Sequence, residues 1–462
     1  MSRLSLTAFV CSSALLAVAC DSGSSGGSQA TNPQAEALRH ELFAAGIQPL
    51  PDPPQVSDEM FALGQALFFD KVLSGNEDVS CATCHLPEFH TSDGRTLSDG
   101  VQGIGFGPNR GGGAMIPRNS PPLFSLHLKR TLFWDGRAEH AGNLNLVALP
   151  PAVAMTDRMR SVFTPGLELM GSQSMLPPVS REEMRGRPGE NPLGDLGDGY
   201  NSSGGSEENT ERVWAALTER LLDLPGYVTL LRDAYPTVQL QDFNFAHIGN
   251  AIAAFEVRAF SRTDSQFERF VRGNDKALSA RQVAGGLEFF GPAGCVGCHS
   301  GSLFTDEAFH NTGMPQLGPG TGICPTCVGP MFNGSDIGRE NATGRFEDRF
   351  KFRTPSLLNV ELTAPYGHAG QFASLRDMVA HYQDAENSNR QYDIQSNVSD
   401  PALVNMLVPN SDLVLATLDS RMATKDFDVG AVVEFLRALT AKDATNLSEV
   451  VPASVPSGLP VF

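Results

Sequence analysis

Two five-residue runs in this chain have the residue types and the spacing needed to bind a haem covalently. Residues 81–85 read Cys-Ala-Thr-Cys-His, and residues 295–299 read Cys-Val-Gly-Cys-His. In a C-x-x-C-H run the two thiols can form thioethers to the haem vinyl groups, and the adjacent imidazole can bind the iron. A zinc site would need a second ligand pair close by, which neither run has, and a redox-active cysteine pair is the other alternative. We predict two haem c groups, held by Cys81, Cys84 and His85 and by Cys295, Cys298 and His299.

The segments around the two runs resemble each other. Residues 62–69, Ala-Leu-Gly-Gln-Ala-Leu-Phe-Phe, precede the first run, and residues 284–290, Ala-Gly-Gly-Leu-Glu-Phe-Phe, precede the second. Residues 118–123 are echoed in the same way by residues 353–358. Helical periodicity recurs along the chain, and no stretch alternates with the period of a strand over several strands. The sequence therefore predicts a mainly α protein with two cytochrome-c-like haem domains related by an internal repeat.

Length and charge restrict the organisation and the partners. At 462 residues the chain is long enough for two or three domains. We predict an N-terminal haem domain over residues 36–265, a C-terminal haem domain over residues 266–445 and a tail over residues 446–462. The net charge of −18, from 34 basic and 52 acidic residues, argues against nucleic acid or an anionic membrane surface as a partner.

The N-terminus has the features of an export signal. Arg3 precedes an apolar stretch that ends at Ala19 and is too short to remain as a membrane-spanning helix. Residues 16–20, Leu-Ala-Val-Ala-Cys, resemble a bacterial lipoprotein cleavage site. We predict a signal peptide over residues 1–19 and a lipidated Cys20 on a flexible tether over residues 20–35, which places the protein in the periplasm on a membrane lipid anchor. Ordinary cleavage that leaves Cys20 unmodified is the alternative.

Cys324 and Cys327 are left over when the haem and lipid cysteines are assigned. They form a Cys-Pro-Thr-Cys run without a following histidine, in a segment rich in glycine and proline. In an oxidising compartment such a pair is expected to form a local disulfide, and a metal or redox role is the alternative.

The two haem runs occur together with three further motifs. Residues 133–138 read Phe-Trp-Asp-Gly-Arg-Ala, residues 352–357 read Phe-Arg-Thr-Pro-Ser-Leu and residues 365–368 read Pro-Tyr-Gly-His. In this order they resemble the bacterial di-haem cytochrome c peroxidase and MauG superfamily, over about residues 59–440. The resemblance implies that the N-terminal haem reacts with hydrogen peroxide and that the C-terminal haem stores or relays an electron. It also implies that Trp134 lies between the two haems.

The resemblance further implies a peroxide pocket. Gln173, Pro177, Glu183 and Met184 reproduce the family spacing of Gln-x3-Pro-x5-Glu-Met. A carboxylate placed there can move a proton between the two peroxide oxygens, and an amide can hold the peroxide by hydrogen bonds. The run lies further from the Trp-Asp-Gly-Arg motif than in the family, so an unshifted alignment places Ala154 at the glutamate position. Glu183 as a charge on a solvated turn is the other alternative.

Axial ligands on the far side of each haem are expected to differ from those of the donor-fed peroxidases. Those enzymes carry a distal histidine in the loop that here reads Pro-Asn-Arg-Gly-Gly-Gly over residues 108–113, so the first iron is expected to be open, with His90 as a weak candidate ligand. Tyr382, fourteen residues after His368, matches the position at which MauG-type members ligate the second iron with a tyrosine. The alternative ligands are Met378, His381 and Met314.

A calcium ion between the domains is also implied by the resemblance. Asn119, Thr363 and Pro365 match its ligand positions, the last two through backbone carbonyl groups, which suit a hard cation. The same residues also occur in ordinary turns.

These observations favour a di-haem c-type peroxidase that reduces hydrogen peroxide with electrons from a small redox protein. The first alternative is a MauG-like enzyme that uses peroxide to oxidise residues of a partner protein. The second alternative is a di-haem electron carrier without activity, which predicts two six-coordinate haems that do not react with peroxide.

Overall fold

A computed structural model describes residues 33–140, 147–148, 155–197, 207–321 and 334–462. The predicted signal peptide, the lipidated Cys20, Ala154 and the pair Cys324 and Cys327 lie outside these ranges. Within them, no helix combines the length and the apolar character needed to cross a membrane.

The predicted mainly helical class is confirmed. The described ranges contain sixteen α-helices and five strands of two or three residues, joined by turns of 3₁₀-helix. The helices are α1 Pro33–Ala44, α2 Asp58–Phe69, α3 Cys81–Cys84, α4 Asp157–Arg160, α5 Glu168–Ser174, α6 Glu207–Leu222, α7 Pro225–Ala234, α8 Phe245–Phe260, α9 Gln266–Val271, α10 Ala280–Phe290, α11 Glu340–Thr343, α12 Leu375–His381, α13 Ala385–Arg390, α14 Ile394–Asn397, α15 Ser411–Leu415 and α16 Val429–Arg437.

The strands form two small antiparallel sheets. Strands β1 (Thr131–Leu132), β2 (Ala138–His140) and β3 (Val147–Ala148) make the first, with Leu132 opposite Ala138. Strands β4 (Phe309–His310) and β5 (Phe352–Arg353) make the second. The turn between β1 and β2 contains the Trp-Asp-Gly-Arg motif, so the sheets serve to present that turn.

Two helix crossings of the same kind lie in the two halves of the chain. A Cβ atom added to Gly64 on α2 would lie 1.9 Å from the carbonyl oxygen of Ala251 on α8. A Cβ atom added to Gly285 on α10 would lie 1.8 Å from the carbonyl oxygen of Ala431 on α16. Only glycine permits backbones to approach this closely. Each haem run thus follows a helix that is locked against a later one through a glycine.

The buried side chains form two large clusters. The first contains residues of α2, α5, α6 and α8 together with residues 441–455 near the C-terminus. The second contains residues of α9, α10 and α16 together with residues 35–50 near the N-terminus. The predicted domain boundaries remain predictions, and the packing adds that each end of the described chain lies on the other half.

Hydrogen bonds secure the C-terminal segment on the first cluster. The hydroxyl group of Ser457 donates to Asp70 Oδ1 at 2.7 Å, and the Gln65 amide donates to the Val450 carbonyl at 2.8 Å. Asp70 is fully buried and also accepts a hydrogen bond from Tyr227. A buried carboxylate with several donors specifies one arrangement of the segments that supply them.

Candidate functional site

One cavity brings together the residues predicted for the first haem. It encloses about 1140 Å³, including space that opens to solvent. Its lining contains all six predicted side chains, Cys81, Cys84, His85, Trp134, Gln173 and Glu183. Residues as far apart in the sequence as Cys81 and Glu183 thus share one pocket, and Pro177 and Met184 of the predicted peroxide motif line it as well.

The first C-x-x-C-H run is a single helical turn. Ser80 and Thr83 form a capping box at its start, which fixes where the turn begins. The His85 ring nitrogen Nδ1 lies 2.9 Å from the carbonyl oxygen of Thr91, and His90 and Thr91 both adopt positive φ angles, 55° and 67°, to present that carbonyl group. Burial lowers the pKa of His85 to about 4, so the ring is neutral. With Nδ1 donating to a carbonyl group, Nε2 retains the lone pair that a metal needs.

The second run is held by the same device. His299 Nδ1 lies 2.8 Å from the carbonyl oxygen of Phe304, whose φ angle is 53°. Burial lowers the pKa of His299 as well. Both histidines are therefore neutral and oriented through Nδ1, which is the state of a metal-binding imidazole.

Tyr382 lies close enough to Cys295 and Cys298 for their charges to act on its pKa, which burial raises well above its usual range. His381 has both ring nitrogens engaged, Nδ1 with the Ser388 hydroxyl group at 2.9 Å and Nε2 with the Thr312 carbonyl group at 2.8 Å. His381 therefore has no free nitrogen for iron, and Tyr382 is the stronger candidate. Met314 packs with Tyr366 and Phe372, and Met378 is a partly buried neighbour of the same cluster.

The cavity has the chemistry that haem c requires. Burial raises the pKa of Cys81 to about 12, so its thiol is uncharged. Lys129 and Arg353 line the same cavity and are at most 7% exposed. Glu307 acts on the pKa of both side chains, but burial still lowers the pKa of Lys129 to about 7, so the cavity can accept further negative charge. Haem supplies two propionate carboxylates that would pair with such cations, so the residues present fit the group.

A π-helical turn, Arg181–Arg185, presents Glu183 to the cavity. Backbone contacts hold it from two sides, because Gly75 N–H donates to the Met184 carbonyl at 2.7 Å and Val101 N–H donates to the Glu182 carbonyl at 3.1 Å. Burial raises the pKa of Glu183, and the nearby Arg137 opposes that shift. The carboxyl group is thus fixed in position and is a better proton acceptor than a solvated one.

Sequence reasoning missed the glycines behind this turn. A Cβ atom on Gly100 would lie 1.8 Å from the Glu182 carbonyl oxygen and 3.0 Å from that of Glu183. A Cβ atom on Gly75 would lie 1.9 Å from the Arg185 carbonyl oxygen. Both glycines sit in segments rich in turn residues, so the sequence predicts a loop there without indicating what the loop supports.

Trp134 connects the two halves of the chain. Its indole N–H donates to the Asn119 carbonyl at 2.9 Å, and its own carbonyl group accepts from Arg353 N–H at 2.8 Å. The neighbouring Ser120 hydroxyl group lies 3.1 Å from His85 Nδ1. The buried Arg118 adds ion pairs to Asp135 and Asp336, each at 2.6 Å. The indole is therefore rigidly held beside the first cavity, next to chain segments from both halves.

The glycine-rich loop before Asn119 is held by arginine. Arg110 is 4% exposed and donates to the carbonyl groups of Asp99 and Gly100 at 2.8 and 2.7 Å. His85 is the one histidine among the residues that line the cavity. His90 lies outside that lining, and its Nδ1 lies 3.0 Å from the Ala444 carbonyl oxygen. These contacts give His90 a structural role.

The predicted calcium ligands lie in neighbouring segments. Asn119 N–H donates to the His368 carbonyl at 2.8 Å, and its side-chain amide donates to the Arg95 carbonyl at 2.8 Å. The Thr363 hydroxyl group donates to the Val360 carbonyl at 3.2 Å. Among the described residues, the one group of metal-binding side chains is Cys298, Asp306 and His310, and its cysteine belongs to the second haem run. The calcium site remains a prediction.

Fold and site together define a mainly helical protein with two c-type haem sites, of which the first adjoins a cavity with acid–base residues. Residues 58–276 match the family model described as di-haem cytochrome c peroxidase. This match assigns residues 58–276 to the di-haem cytochrome c peroxidase family, and relatives named as MauG and cytochrome c peroxidase support a peroxidase-type oxidoreductase with two haem c groups.

Individual relatives agree with this assignment. The chain is 28% identical over 379 residues to the methylamine utilization protein MauG of Methylorubrum extorquens, covering 81% of this chain and 82% of that protein. It is 29% identical over 354 residues to the cytochrome c551 peroxidase of Pseudomonas aeruginosa, covering 75% of this chain and 80% of that protein.

Two solved structures share the fold. The first is a MauG-like protein associated with microbial copper homeostasis, with a TM-score of 0.58, 24% identity and coverage of 87% of this chain and 96% of that chain. The second is the dihaem peroxidase BthA of Burkholderia thailandensis, with a TM-score of 0.54, 19% identity and coverage of 84% and 87%.

Proposed function

We propose that this protein reduces hydrogen peroxide at the cavity beside His85 and that the second haem unit relays the electrons. The observation that carries the proposal is the convergence of Gln173, Glu183 and Trp134 with the first haem run in one cavity. Relatives named as cytochrome c peroxidases support the reaction class. A small redox protein is the proposed electron donor.

The proposed haem-binding roles rest on the two C-x-x-C-H runs and on the position of Tyr382. Cys81 and Cys84 would hold the first haem by thioethers and His85 would bind its iron, while Cys295, Cys298, His299 and Tyr382 would do so for the second. Lys129 and Arg353 would bind the propionates of the first haem. When bound, each haem supplies a Lewis-acidic iron that exchanges single electrons.

The protein residues supply the acid–base chemistry. The Gln173 amide would hold the peroxide by hydrogen bonds, and the Glu183 carboxylate would take the proton from one peroxide oxygen and return it to the other, which leaves as water. Two electrons from the donor and two protons from solvent would then convert the remaining oxygen into a second water. The buried turn that carries Glu183 keeps its carboxyl group in place during both transfers. Trp134 would carry single electrons between the two halves, because its indole donates to Asn119 in one half and its backbone carbonyl group accepts from Arg353 in the other.

A MauG-like reaction, in which peroxide drives the oxidation of residues in a partner protein, is the second candidate. Tyr382 beside the second haem run favours it, because an anionic oxygen donor stabilises oxidised iron. The loop held by Arg110, which offers no histidine to the cavity, favours it as well. The two candidates share the chemistry at Glu183 and differ in where the electrons come from.

Spectra of the purified protein test the proposal. We expect haem-content analysis to give two haem c groups per chain, and optical and EPR spectra of the ferric protein to contain a high-spin fraction that one equivalent of peroxide converts. Two low-spin signals that do not change when peroxide is added would refute the peroxidase function and would support the di-haem electron carrier. Peroxide turnover with a reduced small cytochrome or copper protein, compared with turnover without one, then separates the two enzymatic candidates.

Tyr382→Phe should change the spectrum of one haem and leave the other unchanged. The phenol oxygen is the atom removed, and His381 cannot replace it because both of its ring nitrogens are engaged. Optical and EPR titrations of the ferric variant give the measurement, with Tyr392→Phe as a control for loss of a phenol that packs on a different cluster of the C-terminal half. An unchanged spectrum in Tyr382→Phe would remove Tyr382 from the ligand set.

Further proposals concern the organisation of the chain. We infer from the two glycine-locked crossings that the two haem units descend from one duplicated ancestor. Export to the periplasm, a lipid anchor at Cys20 and a calcium ion near Asn119 complete the proposed picture. Mass spectrometry of the mature N-terminus tests the anchor.

A further inference from the structure

Glu256 is a buried acid in the first haem cavity to which the proposed reaction gives no role. It lies on α8, one turn after Ile252, and both side chains line the cavity beside Cys81. Glu256 is 5% exposed, and its Oε2 atom is buried without a hydrogen-bond partner. A buried polar atom without a hydrogen-bond partner destabilises the folded state, so a functional role is the natural explanation for its presence.

The second half of the chain shows what the position looks like without an acid. Gly64 meets Ala251 and the Cβ atom of Phe255, and Gly285 meets Ala431 and the Cβ atom of Phe435. Ala251 and Phe255 of α8 are thus equivalent to Ala431 and Phe435 of α16. In the same register, Leu436 occupies the position that corresponds to Glu256. Leu436 is 4% exposed and belongs to the second core cluster. The fold therefore accepts an apolar side chain at this place, and the acid is particular to the first unit.

No charged group lies close enough to Glu256 to offset the effect of its burial. Burial alone raises its pKa to about 8, with no charged group opposing the shift. None of the described charged residues on the helices packed against α8 lines the cavity, and the adjoining 3₁₀ turn adds a half-buried histidine whose pKa burial lowers. The groups concerned are Asp58 and Glu59 of α2, Asp157, Arg158 and Arg160 of α4, Glu168 of α5, Glu211, Arg212, Glu219 and Arg220 of α6, and His127 of the turn.

The cavity itself contributes other charged or titratable groups. Cys81 is the group on which Glu256 acts, and with haem attached its sulfur becomes an uncharged thioether. The others that share the lining are Cys84, His85, Arg118, Lys129, Arg137, Glu183 and Arg353. None of them contributes to the pKa of Glu256, so its charge state responds chiefly to a new charge beside Cys81.

We propose that Glu256 is a redox-linked proton site of the first haem unit, which takes up one proton from solvent when one electron enters that unit and releases it when the electron leaves. An added negative charge in a low-dielectric cavity disfavours a carboxylate and favours the neutral acid. One electron and one proton arrive together, so the net charge of the cavity does not change. This inference rests on the proposed attachment of haem at Cys81 and Cys84, and it holds for either enzymatic candidate.

The test is the midpoint potential of the His85 haem as a function of pH, measured by spectroelectrochemistry. For one proton per electron the potential falls by up to ~59 mV per pH unit. We expect a pH-dependent potential in the wild type and a flatter dependence in Glu256→Gln, which removes the titration and keeps the shape. Glu256→Leu, which copies the second unit, should give the same result. A slope in Glu256→Gln equal to that of the wild type would overturn the proposal.

Two controls make the result specific. Glu288→Gln changes a glutamate of α10 whose Oε2 atom is also buried without a partner, but outside the first cavity, and it should leave the slope unchanged. Glu183→Gln tests the other acid of the cavity. If Glu183→Gln flattens the pH dependence of the midpoint potential and Glu256→Gln does not, the proposal is also overturned.

A redox-induced infrared difference spectrum of the wild type needs no variant. It should contain a carboxylic acid C=O band that appears on reduction and shifts in heavy water, and its absence counts against Glu256. A wild-type protein without haem on the first run would refute the haem assignment. A haem-loaded Glu256→Gln variant with the wild-type slope refutes only the role of Glu256.

Discussion

Glu183→Gln is expected to slow the reaction with hydrogen peroxide by about 10²–10⁴-fold, the usual contribution of a positioned acid–base group. The substitution keeps the size and the hydrogen-bonding reach of the side chain but removes its ability to accept a proton. Haem content should stay unchanged, because Glu183 is not one of the residues that attach the haem or bind its iron. Rapid mixing with peroxide, followed at the Soret band, gives the rate constant.

The pH profile adds a second readout. Because burial raises the pKa of Glu183, the wild-type rate should fall as the pH is lowered through that raised value, where the carboxylate becomes protonated. Glu183→Gln should lose this acidic limb. Glu182→Gln, on the same turn but outside the cavity lining, is the matched control and should behave like the wild type. A Glu183→Gln variant that reacts at the wild-type rate would exclude Glu183 as the proton carrier.

Gly100→Ala should impair the same reaction without touching any acid or base. The added methyl group would lie 1.8 Å from the Glu182 carbonyl oxygen, so the π-helical turn must move away from the loop. Overpacking of this kind costs about 1–3 kcal/mol, and a displacement of the carboxyl group on the scale of an ångström is expected to slow the peroxide reaction by about 10²-fold. The same rapid-mixing experiment, together with haem content, measures it.

Gly111→Ala is the control for this variant. It lies in the same glycine-rich segment, and its added methyl group would meet only Asp99 Oδ2, at 3.8 Å. It should retain haem and react as the wild type does. If Gly100→Ala also reacts normally, the loop does not position Glu183.

The sequence predicts the reactive residues better than the contacts that hold them in position. The haem runs are local, because three ligating side chains within five residues leave little freedom, and the helical class follows from periodicity. Gln173 and Glu183 could be placed in the first cavity only through a family spacing, since nothing local shows which way a turn faces. The structure brings both into the cavity lining despite the longer intervening segment.

Other features depend on contacts between distant segments. Gly100 and Glu182 meet through backbone atoms, and the sequence holds no trace of such a contact beyond the presence of glycine. Glu256 lies in a mostly apolar helix next to the charged Arg258, so its direction toward the haem run could be known only after α2 and α8 had been packed. Lys129 and Arg353 also come from opposite halves of the chain, so their presence in one cavity depends on how those halves pack.

The exchange of chain ends between the two clusters has a consequence for biogenesis. The first core includes residues 441–455, so it stays incomplete until nearly the whole chain has been delivered, although its own haem run emerges early. Chains otherwise tend to fold from the N-terminus as domains emerge. We therefore expect the first C-x-x-C-H run to stay on an incompletely folded segment until residues 441–455 arrive, which would leave Cys81 and Cys84 open to haem attachment before the cavity closes.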